Sequence, residues 1–289
     1  HVHAIRFHGG GFEKNHLIVV IPMMGRRDLV IPLDWFVCPV LKKPLTLKGA
    51  CLVSPAGSYE RNQTYGFWNF IPKDLRDLQR QEWKTWEILQ QNSVVSYRAD
   101  PRNNLGVGKR QDFDEFSTFC HFSGIVLDVG VGPQKAPSHI RYCKRPDVHF
   151  VGIDPLVGIQ PRIFSFVQGL GEYLPFRADL FDQVIFATAL DHFIDPLAAL
   201  LEAKRVVKNE GTICVWIGEK DRNAPKPSRS HKWYEKLFVP QGADDPFHYK
   251  RLNAQSFAAY AVEAGLSVEN HLAFPVDRWR RNLFYRLSK

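Results

Sequence analysis

Two kinds of hydrophobic pattern divide the chain. Up to about residue 72, short apolar pieces such as "HLIVVIP" and "DLVIPLDWFVCPV" alternate with Pro and Gly, which predicts short strands and loops. The stretch 73–92, "KDLRDLQRQEWKTWEILQQN", then sets Leu75, Leu78, Trp83, Trp86 and Leu89 at helical spacing. It predicts an amphipathic helix leading into the second region. A loop, "ADPRNNLGVGKRQ", follows, and "DFDEFSTFCHFSG" predicts a second short helix ending at Gly124. From 125 onward, apolar runs at 125–128, 148–153, 164–168, 183–187 and 212–217 predict strands separated by connecting segments. The clearest helix is "DPLAALLEAKRVVK", with Asp195 as N-cap, Pro196 at the first helical position and a basic last turn. Alternation of this kind argues for a parallel sheet covered by helices, with any ligand at the carboxyl ends of its strands. Three parts are expected: 1–72, small and rich in strands and loops; 73–124, linking helices; and 125–289, the main α/β domain.

The turn after the first of these strands carries the first chemical signal. "IVLDVGVGPQ", 125–134, passes from apolar residues into Asp128, Gly130 and Gly132. A dinucleotide fingerprint needs a third glycine three positions on, where this chain has Lys135. Asp128 would also repel a pyrophosphate in a confined site. It suits a cationic ligand end such as an amino acid's ammonium, which points away from NAD and towards S-adenosylmethionine. "GVGKR", 106–110, lacks the leading Gly and the Ser/Thr of a phosphate loop and reads as plain loop.

Composition narrows the field. A chain of 289 residues with 45% hydrophobic and 24% charged residues is ordinary globular material, long enough for a sizeable core. The +8 balance favours acidic or phosphate-bearing partners but is too dispersed to diagnose a nucleic-acid binder. The cysteines, Cys38, Cys51, Cys120, Cys143 and Cys214, form no Cys-x-x-Cys pair, which argues for free thiols in a reducing cytoplasm. The longest apolar run, "LIVVIPMM", cannot span a bilayer.

"VLDVGVGPQ" resembles motif I of the class I S-adenosylmethionine-dependent methyltransferases. Residues 165–218 resemble their type-11 family, through Leu-Pro-Phe, Phe-Asp, Leu-x-His, Asp-Pro and Glu-x-x-Arg-Val-x-Lys in order, with a glycine before the fifth strand. The resemblance implies a Rossmann-like seven-stranded sheet with helices on both faces, and S-adenosylmethionine as cofactor. On that reading Gly130 and Gly132 let the backbone approach the methionine part, and Asp128 orders the turn and faces the ammonium. Asp154 accepts from the ribose hydroxyls, a role compatible with capping a helix. Where the family has an acid against adenine, this chain has Leu170, so adenine is expected on the surface of Leu170 and Gly171, with Glu172 as a polar neighbour. The segment "PLVGIQPRIF" is too short for the usual helix between the second and third strands.

Methyl transfer from a sulfonium needs alignment and a dry site, and a hydroxyl acceptor also needs a base. Ala187 to His192, after the fourth strand, are expected beside the methyl group. His192 reads either as a base or as a structural histidine packed under the cofactor; Asp191 is the less stereotyped neighbour. His248, in "ADDPFHYKRLNAQSF", is the other candidate base, set against a plain surface-loop histidine. The segment 219–252, in which basic residues outnumber acidic ones and aromatics recur, reads as a substrate lid or a solvated basic insertion. No metal site is expected. "FVCPVLKKPLTLKGACLVSPAGSYERNQTYGFWNFIP" resembles the small zinc ribbon preceding some bacterial methyltransferase domains. Only Cys38 stands at a ligand-like position, which implies a ribbon without metal, held by Trp35, Phe36, Tyr59, Phe67, Trp68 and Phe70. The expected acceptor is an oxygen or nitrogen of a small-molecule or glycan- or lipid-linked compound. The alternatives are an RNA base, which the basic charge favours and the lack of an Asn-Pro-Pro-Tyr-type turn opposes, and a non-catalytic binding protein of the same fold.

Overall fold

The computed structural model describes residues 30–72, 80–105, 110–158, 160–221, 223 and 233–289. The predicted strand at "HLIVVIP", Leu75 and Leu78 of the long helix, and most of "GVGKR" lie outside them. Strands β1 (Thr46–Lys48), β2 (Cys51–Ser54) and β3 (Gly57–Glu60) form an antiparallel meander. Helix α1 (Arg80–Ala99) follows, then α2 (Pro101–Asn104) and α3 (Gln111–Cys120). The α/β region runs β4 (Ile125–Val129), α4 (Ser138–Tyr142), β5 (His149–Asp154), β6 (Ser165–Gln168), β7 (Phe181–Ala187), α5 (Pro196–Val206), β8 (Val207–Lys220), α6 (Ala254–Glu263), β9 (Ser267–Asp277) and β10 (Arg280–Ser288).

Seven strands make one sheet in the order β6-β5-β4-β7-β8-β10-β9. The first five are parallel, and β10 runs antiparallel to both β8 and β9. The fold is therefore the Rossmann-like α/β sheet expected, with a small separate sheet preceding it. Period-two alternation explains why both faces are covered. Leu127, Val129, Val151, Ile153, Val184, Phe186, Val215 and Ile217 share one core with Ala199 and Leu200 of α5 and Phe257 of α6. The intervening Val126, Phe150, Ile185, Cys214 and Trp216 pack with Phe113 and Phe116 of α3 and Ile140 of α4.

Helix ends follow local chemistry. The Asp195 carboxylate accepts from Ala198 N and Pro196 opens α5, as expected; Asn253 and Ser256 form a capping box at α6. α3 ends at His121 in the left-handed region (φ 48°), three residues before Gly124 (φ 62°). The Glu-x-x-Arg pair has a structural task. Glu202, 8% exposed, accepts from Leu174 N at 2.9 Å, from Arg205 and from Lys42, tying α5 to the loop after β6 and to the N-terminal region. Residues 155–164 contain no helix among the described residues, in line with their shortness.

The N-terminal meander is packed onto the sheet. Phe36, Cys38, Leu52, Tyr59 and Phe70 belong to the same core as Leu127 and Val151, and isolated bridges join Phe36 to Phe176 and Asn69 to Gln168. Phe36 and Tyr59 pack on Phe70 at 4.8 and 5.2 Å between ring centroids, and Phe67 meets Phe166 edge-on at 5.2 Å. Cys38 Sγ accepts from Ser54 Oγ (3.1 Å) and Leu41 N (3.3 Å), so the two turns of the meander region converge on one sulfur. Burial acts to raise that thiol, but the hydrogen bonds from Ser54, Tyr59, Leu41 and Val40 hold it below its ordinary value.

Candidate functional site

The carboxyl ends of β4, β5, β6 and β7 open into one cleft of about 290 Å³. Gly130, Asp154, Leu170 and Ala187 are the residues these strands deliver to it, each at or just past a strand end. Gly132, Gly171 and Glu172 line it as well, and so do His192 and His248. Asp191 and Asp128 do not line it, although both are buried beside residues that do.

The glycine turn is held from several sides. Gly130 and Val131 donate to Ile153 O at 2.9 and 3.3 Å, and Gly132 N donates to Asp154 Oδ2 at 2.7 Å. Gly130 has φ 79°, and a Cβ there would sit 2.4 Å from Ala189 Cβ. Only glycine fits that conformation and that approach. Arg162 lies over the Phe166 ring at 3.5 Å and donates to Gly132 O and Leu156 O, so one guanidinium secures the turn where the chain has no crossover helix. Burial lowers its pKa to about 10, opposed by Asp154.

Asp154 is 6% exposed and uses one oxygen for Gly132 N and the other for Leu156 N. Burial raises its pKa to about 6 despite those two hydrogen bonds and Arg162. Asp128 is fully buried; its Oδ2 lies 2.7 Å from His139 Nε2, while its Oδ1 and His139 Nδ1 have no hydrogen-bond partner. The carboxylate thus lies behind the cleft wall, where its partner His139 stands in the lining, and does not itself reach the ligand space. Leu170, 5% exposed, packs with Trp83 and Trp86 of α1. Glu172 Oε1 accepts from Ile194 N at 3.0 Å, and burial raises its pKa to about 7. The glycine cradle, the ribose-type carboxylate and the apolar Leu170 surface fit S-adenosylmethionine.

The other end of the cleft is built from two distant pieces of chain. β7 ends at Ala187, Thr188 follows in the left-handed region (φ 58°), and Leu190–His192 form a short 3-10 turn. Asp191 is 7% exposed. The second piece is the coil 233–252, which supplies Trp233, Phe247 and His248 to the cleft wall. The His192 and His248 rings stack with centroids 4.4 Å apart. His248 Nε2 lies 3.3 Å from Asp191 Oδ2, and His248 Nδ1 lies 2.8 Å from Asp245 Oδ1. His192 Nδ1 lies 2.9 Å from Phe247 O. Burial lowers the His192 pKa, and the neighbouring His248 ring adds to the effect.

Helix α1 closes the cleft, a role its sequence pattern did not suggest. Trp86, Gln90, Ser93 and Tyr97 line it, and Trp86 Nε1 donates to His192 O at 3.1 Å. Tyr97 has its pKa raised by burial and by the nearby Asp154 and Asp191 carboxylates. α1 also anchors the coil: Asn92 Nδ2 donates to Phe238 O and Pro246 O, and Thr85 Oγ1 donates to Gln241 O. The predicted 219–252 segment thus begins inside β8, and its described part from 233 onward is pinned to α1. The missed signal was the polar face continuing past residue 92, where Ser93 and Ser96 are buried.

Residues 127–215 match a family model described as a methyltransferase domain. No curated protein matches the chain. Among solved structures the chain is similar to an S-adenosylmethionine-dependent methyltransferase from Thermotoga maritima, at 18% identity and TM-score 0.46, over 71% of this chain and 99% of that one. It is also similar to one from Aquifex aeolicus (13% identity, TM-score 0.44, 68% and 97% covered). The YcgJ protein from Bacillus subtilis matches at 16% identity and TM-score 0.44, over 62% of this chain and 98% of that one.

Proposed function

We propose that the chain is an S-adenosylmethionine-dependent methyltransferase acting on an oxygen or nitrogen of a small-molecule or glycan- or lipid-linked acceptor. The observation that carries this reading is the junction of a glycine cradle and a polar cluster at the two ends of one cleft. The cofactor supplies an electrophilic methyl group on a sulfonium. Gly130 and Gly132 give it backbone approach, Asp128 backs the turn from outside the cleft through His139, and Asp154 retains lone pairs for ribose hydroxyls. Leu170, Gly171 and Glu172 form the surface for adenine, and Ala187 keeps the end of β7 free of bulk.

At the far end His192 and His248 face the acceptor's nucleophilic atom, with Asp191 buried behind them 3.3 Å from His248 Nε2, and the acceptor loses its proton there. Trp86, Trp233 and Phe247 wall this end with aromatic surface, which excludes water and suits an acceptor with an apolar or ring-shaped body. The five cysteines are free, consistent with a cytoplasmic setting. No helix among the described residues is long and apolar enough to cross a membrane.

The test uses S-adenosylmethionine carrying a labelled methyl group, incubated with the protein and either cell-derived small molecules or total RNA. Label is expected in the low-molecular-weight fraction, dependent on intact protein. Label entering RNA alone would refute the acceptor class.

A further inference from the structure

Two hydrogen bonds fix the tautomers of the stacked histidines. His192 Nδ1 lies 2.9 Å from the carbonyl oxygen of Phe247, an atom that can only accept, so Nδ1 carries the proton. His248 Nδ1 lies 2.8 and 3.0 Å from the two oxygens of Asp245 and donates there as well. Asp245 is itself held by Phe247 N, His248 N and the Arg251 guanidinium, so it is a fixed acceptor. In neutral rings, both Nε2 atoms are therefore lone-pair donors to a cation. Both face the same carboxylate: His248 Nε2 is 3.3 Å from Asp191 Oδ2, and His192 Nε2 is 4.0 Å from Asp191 Oδ1.

Three electron-pair donors thus converge, with their ligand atoms within 4.8 Å of one another. A proton can bridge one nitrogen–oxygen pair; a metal ion serves all three. A carboxylate or carbonyl holding the far nitrogen of each imidazole is the outer arrangement that orients metal-binding histidines. At tetrahedral angles an ion about 2.1 Å from each ligand needs separations of about 3.4 Å, so the widest pair must close by up to roughly 1.4 Å as the ion enters, a shift that rotation of the His192 ring and the Asp191 carboxylate can supply.

We propose that Asp191, His192 and His248 bind one divalent first-row transition ion, of the Zn²⁺, Fe²⁺ or Co²⁺ class, at the acceptor end of the cleft. Two imidazoles and one carboxylate select these ions over Mg²⁺ and Ca²⁺, which take oxygen ligands. Three protein ligands leave positions open towards the cleft, where both histidines are exposed to an incoming molecule. The site's existence rests on geometry alone; its role rests on the methyltransferase reading. In that role the ion takes the acceptor's oxygen as a further ligand and lowers the pKa of its hydroxyl, whose proton leaves to water, while the imidazoles hold the ion. The acceptor is accordingly a hydroxyl compound. The ligands come from residues 191–192 and from 248, which is why no spaced motif announced them and the sequence pointed to no metal.

The experiment uses the full chain without an affinity tag, dialysed against a chelator and titrated separately with ZnCl₂ and CoCl₂. One ion per chain is expected, with micromolar or tighter affinity and visible Co²⁺ absorption bands. Asp191→Asn and His248→Ala are expected to weaken binding at least 100-fold, and Asp245→Asn about 10–100-fold. Binding of S-adenosylhomocysteine, measured in parallel, should stay unchanged in all three. Failure to bind either ion, or binding that these substitutions leave untouched, overturns the site. X-ray absorption of the unaltered Zn²⁺ form covers variants that fail to fold: imidazole and oxygen ligation supports the site, and sulfur ligation overturns it. If the unaltered protein takes up the ion but not S-adenosylhomocysteine, the methyltransferase reading falls while the site stands.

Discussion

Replacing Asp154 by Asn isolates one charge at the glycine-turn end of the cleft, where the proposed function puts the ribose. A carboxylate offers about four lone-pair sites, and the backbone amides of Gly132 and Leu156 occupy one on each oxygen. The two remaining sites can take both hydroxyls of a ribose. Hydrogen bonds to a charged group are worth about 1.5–3 kcal/mol each, so losing one of the pair should weaken binding about 10- to 150-fold. Asp154→Ala, which removes both and frees the Gly132 amide, should cost more. The raised pKa adds a pH signature. Burial puts the Asp154 carboxyl at about 6 in the folded chain, so it is protonated below that pH and ionised above it. Ionised carboxylate accepts best, so affinity should rise with pH up to about 6, level off near 7, and be roughly tenfold weaker at pH 5 than at pH 8. The carboxyl group of S-adenosylhomocysteine titrates well below that window. Isothermal titration calorimetry of the unaltered protein and Asp154→Asn, each at pH 5 and 8, measures both effects. The variant should bind weakly and lose the step centred near pH 6, keeping only the change that Glu172, near 7, contributes. Equal affinity of the two proteins at pH 8, or a flat pH profile in the unaltered one, would refute the assignment of Asp154.

Other substitutions probe the rest. His248→Ala should lower turnover about 10²–10⁴-fold while leaving cofactor affinity nearly unchanged, because it stands at the acceptor end of the cleft; steady-state kinetics beside calorimetry separates the two. Gly130→Ala places a Cβ 2.4 Å from Ala189 Cβ at φ 79°, so it should destabilise the fold by about 1–3 kcal/mol and impair cofactor binding, read by thermal melting and calorimetry. Glu202→Ala strips Leu174 N, Arg205 and Lys42 of a shared acceptor and should cost about 2–3 kcal/mol in urea unfolding, the partial exposure of Lys42 limiting the loss.

The fold was legible where short-range pattern decides it. Strands of alternating or continuous apolar residues, the Asp195-Pro196 start of α5 and the Gly130 turn declare themselves within a few residues. That Gly130, Asp154, Leu170 and Ala187 line one cleft was legible for the same reason, since all are carried by strand ends. The acceptor end was less so. Asp191, His192 and His248 could be named singly, but their convergence depends on the coil 233–252 folding back onto α1, through Asn92 and Thr85, over a long stretch of sequence. α1 itself was read as a connector ending at residue 92, and Ser93, Ser96 and Tyr97, which line the cleft, lay beyond that reading. Asp128 was assigned to a ligand from its position, and its buried partner His139 carried no sequence signal.

Calorimetric titration of the unaltered full chain with S-adenosylhomocysteine at pH 8 tests the central claim most directly. One site per chain is predicted, with a dissociation constant in the micromolar range, about −8 to −5 kcal/mol, and a matching rise in melting temperature. No heat and no stabilisation at millimolar ligand would contradict it.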